Sequence, residues 1–218
     1  ELASIRDLLT ENEALKQQVD ELTIDNTRLQ QDRYELTNLR QLYNLDTQYD
    51  EYQKTGARII AKDAGNWFHS FVINKGAKDG IAVDMNVMAG SGLVGRVVDV
   101  GPNWSKVKAI IADDSNVSAM VLASSDNLIV SGNLKLYDSG VIEFEQLIDS
   151  AGVVVEGDKI VTSNISDKFL PGILIGYINT INPDANNLTK SGHITPAVDF
   201  EHLEEVLVIM ELKQTVTE

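Results

Sequence analysis

The first residues that could do chemistry are glycines. Gly90-Ser91-Gly92-Leu93-Val94-Gly95 meets the spacing G-x-G-x-x-G, which in dinucleotide-binding enzymes brings backbone N–H groups against a pyrophosphate. That turn needs a strand before it and a helix after it, so that the helix N-terminus faces the phosphates. Here the glycines run into Arg96-Val97-Val98-Asp99-Val100, a β-branched stretch that starts a helix poorly. The dinucleotide reading fails, and no cofactor is expected. Gly90, Gly92 and Gly95 are expected instead to permit a tight turn or bulge in a strand bending around a small barrel.

A second constellation is His69, Asp113 and Ser163, which fall in the order base, orienting acid and nucleophile of a serine hydrolase. Ser163 sits in Val161-Thr162-Ser163-Asn164, not in the Gly-Asp-Ser-Gly setting that shapes an oxyanion hole. Order alone is a weak coincidence in a chain rich in Ser and Asp, so no catalytic residue is assigned. His193 and His202 are too far apart for a local metal-ligand pair, and Glu201, Glu204 and Glu205 around His202 read as solvated charge. No metal is expected. A net charge of −15 argues against nucleic acid, because phosphate contacts need clustered Lys and Arg. The absence of cysteine rules out thiol chemistry and disulfides.

With chemistry weakly represented, the elements carry the argument. Leu8, Leu15, Leu22, Leu29 and Leu36 recur every seven residues, and Tyr43 continues the series. Three positions before each lie Ile5, Asn12, Val19, Asn26, Arg33 and Arg40. These are the d and a positions of a heptad register, and the spacing predicts a coiled-coil helix over 1–50. Asn12 and Asn26 cost stability in an apolar seam, but paired with their own copies they favour a parallel two-stranded coil in fixed register. The fragment is therefore expected to form a homodimer through Ile5, Leu8, Asn12, Leu15, Val19, Leu22, Asn26, Leu29 and Leu36. No apolar run approaches a membrane span, so any membrane anchor would have to lie before Glu1.

From Ala57 the period changes to two. Candidate strands lie at 57–62, 67–73, 86–100, 104–111, 117–123, 127–136, 141–147, 159–163, 173–181, 191–196 and 205–212, separated by Gly, Pro and Asp turns. Many short strands in so few residues predict two small β-barrels, over 56–115 and 116–213, with the last strand free to return to either. The fold class is mainly β with an N-terminal α-helical coiled coil. Trp67, Phe68, Phe71, Trp104, Tyr137 and Tyr177 are core by default and partner sites where exposed. Alternation sets Trp67, His69 and Phe71 on one face, which makes Trp67 and His69 the candidate partner interface.

Motifs in this region resemble those of MreC, the bacterial rod shape-determining protein family. They are Asn74-Lys75-Gly76-Ala77-Lys78-Asp79-Gly80-Ile81, Gly92-Leu93-Val94-Gly95-Arg96-Val97, Gly157-Asp158-Lys159-Ile160-Val161-Thr162-Ser163, Pro171-Gly172-Ile173-Leu174-Ile175-Gly176 and the run 196–209 from Pro196 to Ile209. Asn164-Ile165-Ser166-Asp167 departs from the glycines usual after Thr-Ser in that family, which implies a different local turn. The resemblance implies paired barrels of the chymotrypsin-like kind. It also implies a membrane helix before Glu1 and a place on the outer face of the cytoplasmic membrane. The implied role is a non-catalytic scaffold of wall elongation, dimeric and in some cases filamentous, with MreD and penicillin-binding proteins as partners. Two other classes stand beside it: a chymotrypsin-like hydrolase, and a periplasmic adaptor of an export pump. The adaptor reading lacks the returning arm of a helical hairpin.

Overall fold

A computed structural model describes residues 2–62, 69–90, 92–149, 151–185 and 188–214; within the long helix, side chains are described for residues 11–43. Residues 1–40 and 41–218 form two compact units. The helix α1 (Leu2–Gln48) runs 47 residues, about 70 Å at 1.5 Å per residue. No Gly or Pro interrupts it, and Leu, Glu, Gln, Lys and Arg favour it. Its threonines satisfy their hydroxyls locally: Thr23 donates to the Val19 carbonyl at 2.7 Å and Thr27 to that of Thr23 at 2.8 Å.

The strands that follow are β1 (Lys54–Lys62), β2 (Ser70–Ile73), β3 (Asn86–Ala89), β4 (Gly92–Val100), β5 (Ser105–Ala109) and β6 (Asn116–Val121). After β7 (Asn127–Ser131) comes a single-turn helix, α2 (Leu134–Tyr137). The chain continues with β8 (Ile142–Leu147), β9 (Lys159–Thr162), β10 (Leu174–Pro183), β11 (Lys190–Pro196) and β12 (Glu205–Ile209). Among the described residues these strands close two antiparallel barrels of six, in the orders β1-β12-β3-β4-β5-β2 and β10-β11-β8-β7-β6-β9.

Alternation explains the cores. Ile73, Val87, Val97, Val107, Val206 and Val208 fill the first barrel, and Val117, Val130, Phe144, Ile160, Ile178 and Ile194 the second. Each such side chain removed from water contributes about 1.5–3 kcal/mol. Register shifts at Val87/Met88, Val97/Asp99 and Ile178/Thr180 bend the strands enough to close so small a circumference. The last strand returns to the first barrel, pairing with β1 and β3.

Three details correct the expected strands. The run 86–100 is two strands joined at Gly90, whose φ of +60° suits the turn. The run 127–136 stops at Ser131, because Asn133 caps α2 by accepting the N–H groups of Lys135 and Leu136. Within the run 67–73, His69 lies in a turn and the strand holds Ser70–Ile73, residues 67 and 68 being outside the described ones. The turn at 163–169 is closed by Ser166, whose hydroxyl accepts the Phe169 N–H at 3.1 Å.

Polar groups join the two barrels. Asn86, 1% exposed, donates from its amide to the Lys168 carbonyl at 2.9 Å and accepts the Leu170 N–H at 2.8 Å. A Cβ at Gly92 would stand 2.2 Å from the Leu174 carbonyl oxygen, so glycine lets the first barrel press its backbone on the second. Tyr52 donates to the Pro171 carbonyl at 2.9 Å, and the Tyr49 hydroxyl accepts the Leu174 N–H at 3.1 Å. Burial raises the pKa of both phenols above their ordinary value.

Candidate interaction surfaces

On the helix, the apolar stripe lies open. Leu15, Val19, Leu22, Leu29 and Leu36 are all exposed, Leu22 by 66%. Surface helices of globular domains normally bury such residues, and an apolar a/d stripe is the kind of face along which two helices pack in a coiled coil. Within the seam Asn12 and Asn26 are exposed too, and the Asn26 side-chain oxygen accepts from Gln30 Nε2 at 3.1 Å. The side chains of Ile5 and Leu8 lie outside the described residues.

On the first barrel, Trp67 and Phe68 also lie outside the described residues. His69 is half-buried one residue before β2, and its carbonyl accepts the Ala109 N–H at 3.1 Å. Its ring is close enough to Asp114 to act on that carboxylate. Lys108 has the larger effect, ion-pairing with Asp114 at 2.5 Å and holding its pKa below the ordinary range. Phe71, expected on the same face as His69, points into the core. Gly95 backs onto β5, where a Cβ would stand 1.9 Å from the Lys108 carbonyl oxygen. Tyr137 is buried edge-on against Phe200, ring centroids 5.5 Å apart, and accepts the Phe200 N–H at 3.2 Å. Trp104 and Tyr177 are partly exposed.

The hydrolase constellation does not assemble. Ser163 is 0% exposed and its hydroxyl donates to Asn127 Oδ1 at 2.7 Å. Asp113 accepts the Leu134 N–H at 2.9 Å. Among the described residues no hydrogen bond links either to His69 or groups three metal-ligating side chains. His202 Nδ1 pairs with Asp199 at 2.7 Å on the surface, and His193 Nδ1 with Thr180 Oγ1 at 2.9 Å.

One surface escaped the aromatic reading. Ile148, Val153 and Val155 are exposed on the loop after β8. Asp149 anchors that loop: its carboxylate accepts from Lys190 Nζ at 2.6 Å and from the N–H groups of Val153 and Val154. The Lys190 bond, ahead of the backbone donors, lowers its pKa against the opposing cost of burial. The Val153-Val154-Val155 run between two glycines was the available signal.

A heptad helix with an open seam, followed by two closed six-stranded antiparallel barrels, defines a double-barrel protein with an N-terminal helix. The family model for rod shape-determining protein MreC, barrel core, matches residues 59–210, and the chain belongs to the MreC family. It is 29% identical over 213 residues to the cell shape-determining protein MreC of Listeria monocytogenes, covering 95% of this chain and 70% of that protein. Against the Haemophilus influenzae relative, at 28% identity, it spans 58% of that protein's length. The solved MreC structure from Listeria superposes with a TM-score of 0.69 at 28% identity, covering 95% of this chain and all of that one. A complex between penicillin-binding protein PBP2 and MreC from Helicobacter pylori matches with a TM-score of 0.55 at 15% identity, over 73% of this chain and 99% of that one. The chain thus stands among cell shape-determining proteins. Among the described residues no helix is long and apolar enough to cross a membrane.

Proposed function

We propose that this chain is a dimeric, non-catalytic scaffold of the wall-elongation machinery, held on the outer face of the cytoplasmic membrane by an anchor preceding Glu1. The observation that carries it is the uncovered a/d stripe of α1, punctuated by Asn12 and Asn26. Two copies joined along that seam present every weak barrel surface twice, which raises the effective concentration for membrane-bound partners without any chemical step. The PBP2 complex of a protein with this fold supports a peptidoglycan synthase as the partner. The exposed Ile148, Val153 and Val155, and the half-buried His69 on the first barrel, are the surfaces assigned to it and to MreD, and filament formation would use the same faces; Trp67, the other candidate, lies outside the described residues.

Sedimentation tests the dimer. Leu22→Pro breaks the helix at the middle of the seam, so the variant is expected to sediment as a monomer with β-sheet signal and thermal transition of the barrels intact. A variant that remains dimeric would remove the coil from the proposal. Retention of penicillin-labelled membrane proteins by the immobilised chain, but not by residues 1–50 alone, tests the partner.

A further inference from the structure

Ser70, Lys108, Arg96 and Asn86 face one another in register across β2, β5, β4 and β3. Cross-strand partners share one side of a sheet, so these polar side chains form a row on the outer wall of the first barrel. At its Asn86 end the row meets the second barrel, through the bonds to Lys168 and Leu170. A cavity of about 220 Å³ opens there, lined by Arg96, Lys108, Asp114, Ser115, Asn116 and Lys168, with the buried Phe169 ring beside them.

Three cations converge on this cavity in a chain whose net charge is −15. Two are partly withdrawn from water: the Arg96 and Lys108 side chains are 23% and 20% exposed. Each is held by a carboxylate at 2.5 Å, Asp84 for Arg96 and Asp114 for Lys108. Lys168 is exposed, and among the described residues its ammonium has no partner. Ser70, next to Lys108 in the row, is 2% exposed, and its hydroxyl has no partner among the described residues.

We propose that this cavity binds a phosphate group. Three cations against two carboxylates, Asp84 on Arg96 and Asp114 on Lys108, leave one positive charge, which becomes two when an incoming phosphate displaces Asp114. The guanidinium fork, two ammoniums, the Ser115 hydroxyl and the Asn116 amide supply donors to several oxygens at once. The volume falls below the roughly 300–1,000 Å³ of sites that enclose a whole small molecule, so it takes the charged group alone. Asp114, with its side chain 71% exposed, occupies Lys108 as the incoming oxyanion would and swings out to solvent when displaced. Because Arg96 and Lys108 belong to the first barrel, Asn116 and Lys168 to the second, and Asp114 and Ser115 to their connection, the bound group ties the barrels together.

Titration of the 218-residue chain with inorganic phosphate at fixed ionic strength, followed by amide chemical shifts, tests the site. Saturable shifts are expected at Ser115, Asn116 and Lys168. Lys168→Gln, which disturbs no bond of the fold, is expected to weaken binding about tenfold, the loss of one charge-assisted hydrogen bond. Asp114→Asn is expected to tighten it about threefold by removing the internal competitor. No saturable binding, unchanged affinity in both variants, or equal affinity for acetate would overturn the proposal. Flotation with vesicles containing phosphatidic acid separates the two sources of the group. Flotation lost in Lys168→Gln assigns a lipid headgroup, and saturable phosphate binding without flotation assigns a soluble phosphate compound.

Discussion

Asn86 shows how much of the fold rests on single side chains at the seam. Both ends of its buried amide are used, one by the Lys168 carbonyl and one by the Leu170 N–H. Asn86→Leu keeps the branching of the side chain but leaves the buried Leu170 N–H and the Lys168 carbonyl without this partner, a cost of about 2–3 kcal/mol. Urea denaturation is expected to show that loss in midpoint with little change in slope. Asp149 gives the fold a dependence on acid. Its carboxylate is more acidic in the folded chain than the ordinary value near about 3.9. Its contribution is therefore complete above that ordinary value and is lost as pH falls through the lower folded one. The unfolding midpoint is expected to drop as pH falls below the ordinary carboxylate value, and Asp149→Asn to flatten that limb while lowering stability at neutral pH.

Among the elements, the helix is the one whose polar residues carry information. In the proposed dimer Asn12 and Asn26 sit at a positions where valine would pack better, so replacing both with Val is expected to raise the helix melting midpoint, by about 1–3 kcal/mol of added stability per site. The same change is expected to broaden the oligomer distribution seen by light scattering, because the amide pairs that favour two strands in register are gone. A stable pure dimer in the double variant would place the specificity elsewhere, for example in Glu11 and Lys16 at g and e. The seven-residue leucine period and the two-residue period of the barrels are legible in the sequence because each follows from one repeated geometry. What is not legible comes from competition or distance. Asn133 starts a helix inside a run whose Leu, Ile and Val look like strand, and only its own capping preference gave notice. His69 lies in a turn before Ser70, so strand alternation counted through it does not fix which way its side chain faces. The basic cavity joins residues from β4, β5 and the segment before β10, more than 70 positions apart in places, and no local period marks such a meeting.

For the whole chain, the decisive feature is where β12 goes. It lies between β1 and β3, so the first barrel is a ring completed by residues 205–209. A chain ending at Glu204 is expected to lose the first barrel, exposing Val87 and Val97 and binding a hydrophobic dye, while the strands of the second barrel retain every partner. Hydrogen exchange would read the difference as protection lost in 54–109 and kept in 116–196. A truncated chain with both barrels protected would contradict the topology.

That wiring also sets an order in time. As the polypeptide emerges from its N-terminus, the second barrel has all six of its strands while the first still waits for one. The first ring can close only once residues 205–209 have been made, after every strand of the second barrel. A product that stalls or is clipped before that point keeps the open edges of β1 and β3 unpaired, available to proteases and to other chains. Synthesis of residues 205–209 is thereby a condition for displaying the wall of the first barrel, and a copy that stops short of them cannot pass for one that carries them.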